Sequence, residues 1–208
     1  MHDDSDKRIE ATQTHRRAIL KMLLVMGAVP LRFVGAHAAE HNNPPVFSTI
    51  RHQFTMIEPA FVMPAVSLAD RTGRAKVLGP AKGKVMLLNF WATWCPACRT
   101  DLPMLERFSE VMGEGVAVAA VSTDSHEDRS KIEPFLDDLK IKKLPIYLDP
   151  DGRLGSSSSD IKAPFSLRAG MPVTYLIQPS CVVAGYMLGL ADWQSPEGQN
   201  LLSYYAQR

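Results

Sequence analysis

The sequence predicts an α/β domain with a central mixed sheet flanked by helices, and three observations support this fold class. Strand and helix patterns alternate along most of the chain after residue 60. The segment Val85–Phe90 is apolar almost throughout, as expected for a central strand that is covered on both faces. The 208 residues contain 46% hydrophobic and 22% charged side chains, which is sufficient for the core of one ordinary domain.

The first half of the domain contains an entrance hairpin, the central strand and a helix. Met63–Asp70 and Ala75–Leu78 flank an Arg-Thr-Gly turn and predict a small N-terminal hairpin extension. Between Pro96 and Met112, large apolar residues recur at helical spacing, so we expect this helix to lay one face on the sheet. Pro103 lies inside the helix and is expected to kink it, because proline lacks the backbone N–H.

The second half continues the alternation of strands and helices. Gly115–Ser122 predicts a second buried strand, and Asp124 followed by Glu127 predicts a capping box that begins the next helix. A short strand is predicted at Pro145–Leu148. An antiparallel pair follows at Val173–Ile177 and Val182–Leu188, and a final helix begins after a cap at Ser195-Pro196-Glu197.

The N-terminal segment has the three parts of an export signal. Arg16 and Arg17 precede the apolar stretch Met22–Leu31, and small residues follow at Ala36 and Ala38. The arginine pair also fits the twin-arginine route, so both this route and the general secretory route stay open. Export from a Gram-negative cell would deliver the protein to the periplasm, where disulfide chemistry is permitted.

This reading divides the chain into an export signal at 1–38, a linker at 39–60 and a folded domain at 61–208. Cleavage is expected after Ala38. The alternative is an anchor retained in the inner membrane, for which the apolar run is shorter than the roughly 20 residues that span a bilayer.

Charge and cysteine content exclude several classes of protein. The formal net charge is +1 and there is no basic stripe, which argues against nucleic acid as a partner. The three cysteines are too few for a scaffold built from disulfides. The fold must therefore rest on apolar burial, and the partners are expected to be proteins or small molecules.

The motif "NFWATWCPACRTDLP" places Cys95 and Cys98 between the predicted central strand and the following helix. A permanent disulfide, half of a zinc site and a reversible redox centre are the three alternatives. A disulfide that closes so small a loop constrains the unfolded chain very little. Zinc usually needs four ligands, and the sequence has no second C-x-x-C or C-x-x-H. We therefore predict a redox centre without a metal or other cofactor.

The position of the motif suggests a role for each cysteine. At the helix N-cap, free N–H groups and the helix dipole would stabilise the Cys95 thiolate and make it the nucleophile. Cys98 would resolve the mixed disulfide that Cys95 forms with a partner. Pro96 suits the first helical position. Asp101 shares the core-facing side of the helix, where a buried carboxyl could relay protons to the thiols. The alternative is a surface aspartate that interacts with the helix dipole.

"FWATWCPAC", "GMPVTYLI" and the export signal together resemble the TlpA/ResA/DsbE branch of exported thioredoxin-like thiol-disulfide oxidoreductases, over residues 61–208. The closing "GLADW" leans toward the TlpA subgroup. The resemblance implies a thioredoxin-like fold, with a cis proline at Pro172 beside the cysteines and Met171 offering backbone hydrogen bonds to an incoming peptide. Apart from the resemblance, Trp91 and Trp94 are expected mainly to pack around the disulfide, and Trp94 and Pro96 are the side chains expected to contribute to partner contact. The branch often has glutamate where this chain has Asp101, and main thioredoxins have aspartate where it has Asn89.

The predicted function is that of an exported thiol-disulfide oxidoreductase. The resemblance implies a reductant of protein disulfides, acting in copper-centre or cytochrome c maturation and recharged by a membrane-bound electron donor. The alternatives are a copper metallochaperone that uses the C-x-x-C thiols and a non-catalytic adaptor. Cys181 is expected to be a free, buried and inert thiol at the last hairpin turn.

Overall fold

The computed structural model describes residues 43–208 and contains ten strands and three helices in this part of the chain. The strands are β1 (Thr55–Val62), β2 (Val66–Asp70), β3 (Ala75–Leu78), β4 (Val85–Trp91), β5 (Val116–Ser122), β6 (Ile146–Leu148), β7 (Gly155–Ser156), β8 (Phe165–Ser166), β9 (Val173–Ile177) and β10 (Val182–Leu188). The helices are α1 (Cys98–Met112), α2 (Arg129–Asp138) and α3 (Pro196–Tyr205).

Eight of these strands form one mixed sheet, in the order β1-β10-β9-β4-β5-β6-β2-β3. The strands β4, β5 and β6 are parallel, whereas β9 pairs with β4 in the antiparallel sense. The predicted hairpin β2–β3 continues the sheet beyond β6. Strands β7 and β8 form a separate two-stranded sheet. The predicted α/β class and thioredoxin-like fold are confirmed.

Alternate residues of β4 enter two apolar clusters, which follows from the two-residue period of a strand. Leu87 and Trp91 belong to the cluster that also contains the buried face of α1, whereas Leu88 and Phe90 belong to the other cluster. All seven residues of β4 are buried, as the sequence predicted for a central strand. Asn89 follows the same alternation as Leu87 and Trp91, so this amide points toward α1.

The folded unit begins before the expected boundary at Phe61. Strand β1 pairs with β10, and the rings of Phe47 and Phe54 are buried against Trp193 and Tyr205, with centroids 5.0 Å and 5.9 Å apart. Much of the segment that was expected to be a linker at 39–60 is therefore part of the domain. Strand β1 is an edge strand with mostly exposed side chains, so it has no burial pattern that could have revealed it.

The capping box predicted at Asp124 and Glu127 is wrong. Helix α2 begins at Arg129 after Asp128, and no side chain caps it. Asp124 is instead buried and accepts hydrogen bonds from Thr93 and from the Ser122 hydroxyl. The nearby hydroxyl and N–H donors in a buried site outcompete the helix start for this carboxylate.

The other predicted elements agree more closely with the structure. Helix α3 is capped by Ser195, whose Oγ accepts the Gly198 N–H at 3.1 Å. Helix α1 is not interrupted at Pro103. Within residues 43–208, no helix is both long and apolar enough to cross a bilayer. The predicted export signal at 1–38 lies outside the described residues.

Candidate active site

Cys95 and Cys98 form a disulfide between the end of β4 and the start of α1, with their Cα atoms 5.3 Å apart. Both are buried. Helix α1 begins at Cys98, so Cys95 lies before the helix and not at the predicted N-cap, which Ala97 occupies. The Cys95 Sγ nevertheless accepts the backbone N–H of Cys98 at 3.2 Å. One of the free donors at the helix start is thus directed at this sulfur, as thiolate stabilisation requires.

The loop between β4 and α1 carries the exposed side of the site. The Cys95 N–H donates to the Ala92 carbonyl at 3.2 Å, and the Arg99 N–H donates to the Pro96 carbonyl at 3.2 Å. Pro96 therefore belongs to the turn before α1 and does not occupy the first helical position that the sequence suggested. Its exposed ring is accessible from solvent.

The two tryptophans that flank Cys95 have different environments. Trp94 is 63% exposed. Trp91 is fully buried and stacks on Phe135, with ring centroids 5.4 Å apart. The packing role expected of both tryptophans holds for Trp91 and is wrong for Trp94, whose exposed ring is available to a partner.

Asp101 lies one turn beyond Cys98 and is only 1% exposed, so it is not the surface aspartate of the alternative reading. The Asn89 Nδ2 donates to its Oδ2 at 2.8 Å. Burial raises the pKa of Asp101 to about 7, and the hydrogen bond from Asn89 opposes this increase. A carboxyl with this pKa can exchange a proton near neutral pH.

Thr174 completes a buried polar group with Asn89 and Asp101, and the sequence reading missed it. The second N–H of Asn89 Nδ2 donates to Thr174 Oγ1 at 3.0 Å. Among the described residues, Asn89 Oδ1 has no hydrogen-bond partner. The available signal was that Thr174 is a short hydroxyl residue in the buried strand β9, two positions after Pro172.

The Met171–Pro172 peptide bond is cis, as the resemblance implied. The Thr123 Oγ1 hydroxyl contacts Met171 Sδ at 3.6 Å. The Thr123 N–H also donates to the Trp91 carbonyl at 2.9 Å, at the end of β4. The residue after β5 thus joins the proline loop to the strand that precedes the cysteines.

The contact between Thr93 and Asp124 is the second interaction of the site that was not predicted from the sequence. The Thr93 N–H lies 3.0 Å from each of the two Asp124 carboxylate oxygens, and the Thr93 hydroxyl donates to Asp124 Oδ1 at 2.6 Å. Asp124 is 3% exposed. The pairing of an aspartate after one parallel strand with a threonine after its neighbour was the only available signal, since these strand ends meet at one sheet edge.

Among the described residues, neither Cys181 nor His126 bonds to a residue of the cysteine site. Cys181 is a free thiol, half-buried rather than buried, in the turn between β9 and β10 with a φ of 71°. His126 is exposed and lies 2.9 Å from Asp151 Oδ1. Among residues 43–208, no three His, Cys, Asp or Glu side chains are grouped so that they could hold a metal ion.

The sequence matches a known family model and is similar to several named proteins. Residues 59–185 match the model of the AhpC/TSA family. The thioredoxin-like protein YneN of Bacillus subtilis is 32% identical over 127 residues, which are 61% of this chain and 69% of that protein. The thiol-disulfide oxidoreductase ResA of Oceanobacillus iheyensis is 30% identical over 58% of each chain.

A third relative is similar in sequence, and one solved structure is similar in fold. The thiol:disulfide interchange protein DsbE of Pseudomonas aeruginosa is 31% identical over 134 residues, which are 64% of this chain and 66% of that protein. The matches thus leave about a third or more of each relative uncovered. A crystal structure assigned as DsbE from Chlorobium tepidum has a TM-score of 0.56 at 22% identity, over 72% of this chain and 99% of that one. This structural likeness supports the fold.

Proposed function

The chain belongs to the AhpC/TSA family and its relatives are thiol-disulfide oxidoreductases, and on this premise we propose that it is an exported reductant of protein disulfides. The Cys95–Cys98 pair at the start of α1 is the observation that carries the proposal. Copper-centre or cytochrome c maturation proteins are the proposed substrates, and a membrane-bound donor is proposed to recharge the pair. The N-terminal sequence pattern supports export to the periplasm, by secretion or by the twin-arginine route.

In the proposed reaction, the reduced protein transfers two electrons to its partner. The Cys95 thiolate attacks one sulfur of the partner's disulfide, and the other partner sulfur leaves as a thiolate and takes a proton. The Cys98 thiol then loses its proton and attacks the Cys95 sulfur. This second step breaks the mixed disulfide and releases the second partner thiolate, leaving Cys95 and Cys98 oxidised.

Each half of the reaction has support in the geometry of the site. The Cys98 N–H, directed at Cys95 Sγ, favours a thiolate at the first cysteine. Cys98 is completely buried, so its proton needs an acceptor inside the protein. We assign this role to Asp101, one turn away, whose pKa of about 7 suits it to accept and return a proton.

The surface around the cysteines supplies a docking site for an extended partner segment. Trp94 and Pro96 are exposed next to Cys95. We propose the backbone of Met171, the residue before Pro172, as the hydrogen-bonding edge for the partner. Trp94 would add apolar contact area.

The first test is to identify the nucleophile by alkylation of the reduced protein with iodoacetamide at mildly acidic pH. We expect labelling of Cys95, because its sulfur has the better-stabilised thiolate. Cys181→Ser is the matched control and should leave both the labelling rate and disulfide exchange essentially unchanged. Preferential labelling of Cys98 would reverse the two assignments.

The direction of electron flow and the metallochaperone alternative need two further measurements. Equilibration with glutathione redox buffers gives the reduction potential, which should be well below that of glutathione if the protein is a reductant. Metal content after purification with and without reductant tests copper handling, since a metallochaperone would retain copper on the reduced thiols.

A Cys98→Ser variant should accumulate mixed disulfides with its partner proteins, because the resolving thiol is missing. If the wild-type protein shows no exchange with model disulfides, the non-catalytic adaptor is favoured.

A further inference from the structure

Few contacts fasten the loop that carries Cys95 to the rest of the domain. One of them, the disulfide to Cys98, is broken whenever the site is reduced. In the oxidised state the disulfide joins this loop to α1. Reduction breaks that covalent bond. The N–H groups of α1 that donate to the Pro96 and Ala97 carbonyls still hold the end of the loop next to the helix, and the contacts of Thr93 with Asp124 hold the end next to β4. The contacts with Asp124 are the stronger tie, since they involve a buried charge and two donors.

Asp124 is itself held firmly at the end of β5. The Ser122 hydroxyl donates to Asp124 Oδ2 at 2.7 Å, and the Asp124 N–H donates back to Ser122 Oγ at 3.1 Å. The adjacent Thr123 N–H donates to the Trp91 carbonyl on the neighbouring parallel strand. The carboxylate therefore offers a fixed point against which the cysteine loop is positioned.

We propose that Asp124 is a positioning residue of the dithiol site, which holds Thr93 so that Cys95 Sγ stays directed at the Cys98 N–H after the disulfide is reduced. The proposal rests on the proposed function in one respect, namely that Cys95 is the nucleophile. Its effect on the chemistry is indirect. Without this tie the loop moves, the thiolate loses the Cys98 N–H donor, and the reduced form becomes less stable relative to the disulfide.

The sign of the effect separates positioning from simple electrostatics. A carboxylate near a thiolate disfavours the thiolate by charge repulsion, so removal of Asp124 would lower the pKa of Cys95 if charge were its only influence. Loss of positioning acts in the opposite direction and raises the pKa of Cys95. The same reasoning predicts a more negative reduction potential, because the reduced form is destabilised.

The experiment compares Asp124→Ala with Asp124→Asn in the full chain. The pH profile of Cys95 alkylation should shift upward in Asp124→Ala, with a rate about tenfold lower at pH 6 for a shift of about one unit. The alkylation profile of Asp124→Asn should remain near that of wild type, because the amide keeps an acceptor for the Thr93 N–H and a partner for the Thr93 hydroxyl. All profiles are repeated in an Asp101→Asn background, since Asp101 and Cys98 on α1 also titrate beside the thiol.

Asp149→Asn is the matched control. This buried carboxylate lies at the same sheet edge but accepts the N–H groups of Arg153, Leu154 and Gly155, at 2.7, 2.9 and 2.9 Å. It should lose stability in urea and keep the wild-type alkylation profile. If Asp124→Ala does not fold, Thr93→Val replaces it, with Thr93→Ser as the variant that retains the hydroxyl. Thr93→Val should shift the profile in the same direction and Thr93→Ser should not.

Three results would overturn the proposal. A lower pKa of Cys95 in both Asp124 variants would make Asp124 a charge and not a positioning residue. A loss of stability with an unchanged profile in Asp124→Ala, or in Thr93→Val if that variant is used, would make the contact merely structural. A wild-type stability and a wild-type alkylation profile in Asp124→Ala would show that the contact neither supports the fold nor positions Cys95. Labelling of Cys98 instead of Cys95 would contradict the assignment of the nucleophile, which is a separate failure because it is read from the wild-type protein.

Discussion

Helix α1 carries two buried carboxyl groups, and they have opposite hydrogen-bond environments. Glu106 is 8% exposed and accepts three backbone N–H groups, from Lys142, Lys143 and Leu144, at 2.9, 2.9 and 2.8 Å. Asp101 is 1% exposed and accepts one side-chain N–H, from Asn89. The same helix thus holds one fully bonded carboxylate and one that is nearly without donors.

The difference shows that donor count, and not burial alone, decides what a buried carboxyl does. Three N–H donors compensate a carboxylate for the loss of water, so Glu106 fastens α1 to the segment before β6. A single donor does not compensate Asp101, and burial therefore raises its pKa to about 7. The environment of Glu106 contributes stability. The environment of Asp101 lowers stability and provides a titrating group one helical turn from Cys98.

The largest expected effect comes from Glu106→Gln, which breaks the fully bonded environment with little change in volume. The amide places an NH₂ group against N–H donors that the carboxylate accepted, so we expect the free energy of unfolding to fall by about 3 kcal/mol. Urea unfolding at pH 7 measures this loss. The pH profile of Cys95 alkylation should remain that of wild type, and a clear shift would show that Glu106 also acts on the thiols.

The matched change Asp101→Asn should have the opposite sign. In the wild type, the cost of ionising buried Asp101 is absent below its ordinary value of 3.8, grows as pH rises, and is complete above about 7. Removing the charge should therefore stabilise the protein by a few kcal/mol at pH 8 and leave it unchanged near pH 4. Urea unfolding across this pH range tests the sign.

The same variant tests whether Asp101 takes part in the redox chemistry. If its proton is linked to the thiols, Asp101→Asn should change the pH dependence of Cys95 alkylation and slow disulfide exchange. A variant that is slightly less stable at neutral pH, with an unchanged alkylation profile, would remove Asp101 from the mechanism.

The smallest expected effect comes from Asn89→Leu, which removes the one donor of Asp101 and retains a side chain of similar size. Because the hydrogen bond from Asn89 lowers the pKa of Asp101, its loss should raise that pKa further, by about one unit. The pH range over which stability falls should extend upward by the same amount in urea unfolding. Thr174→Val is the control, since it leaves the contact between Asn89 and Asp101 intact. If the pH range of stability loss is the same in Asn89→Leu as in wild type, the Asn89 donor has no influence on the pKa of Asp101.

Much of the sheet and helix order could be predicted from local patterns. The continuous apolar run of β4 and the pair β9–β10 have the bounds or nearly the bounds that the sequence indicated. Edge strand β1 escaped prediction, because its backbone pairs with β10 while its side chains stay largely exposed. Aromatic residues before it, such as Phe47, are isolated in the sequence and reveal their burial only against Trp193.

The sequence by itself determined the C-x-x-C pair, its place between a buried strand and a helix, and the side of α1 on which Asp101 lies. These features depend on residues close in the chain, where the periods of strand and helix apply. Only the tertiary structure decided that Asp124 bonds Thr93 instead of capping α2, and that Asn89 and Thr174 surround Asp101. These contacts join residues 12 to 85 positions apart. They arise because neighbouring strands bring side chains to one face and one edge of the sheet, and because α1 packs on that face.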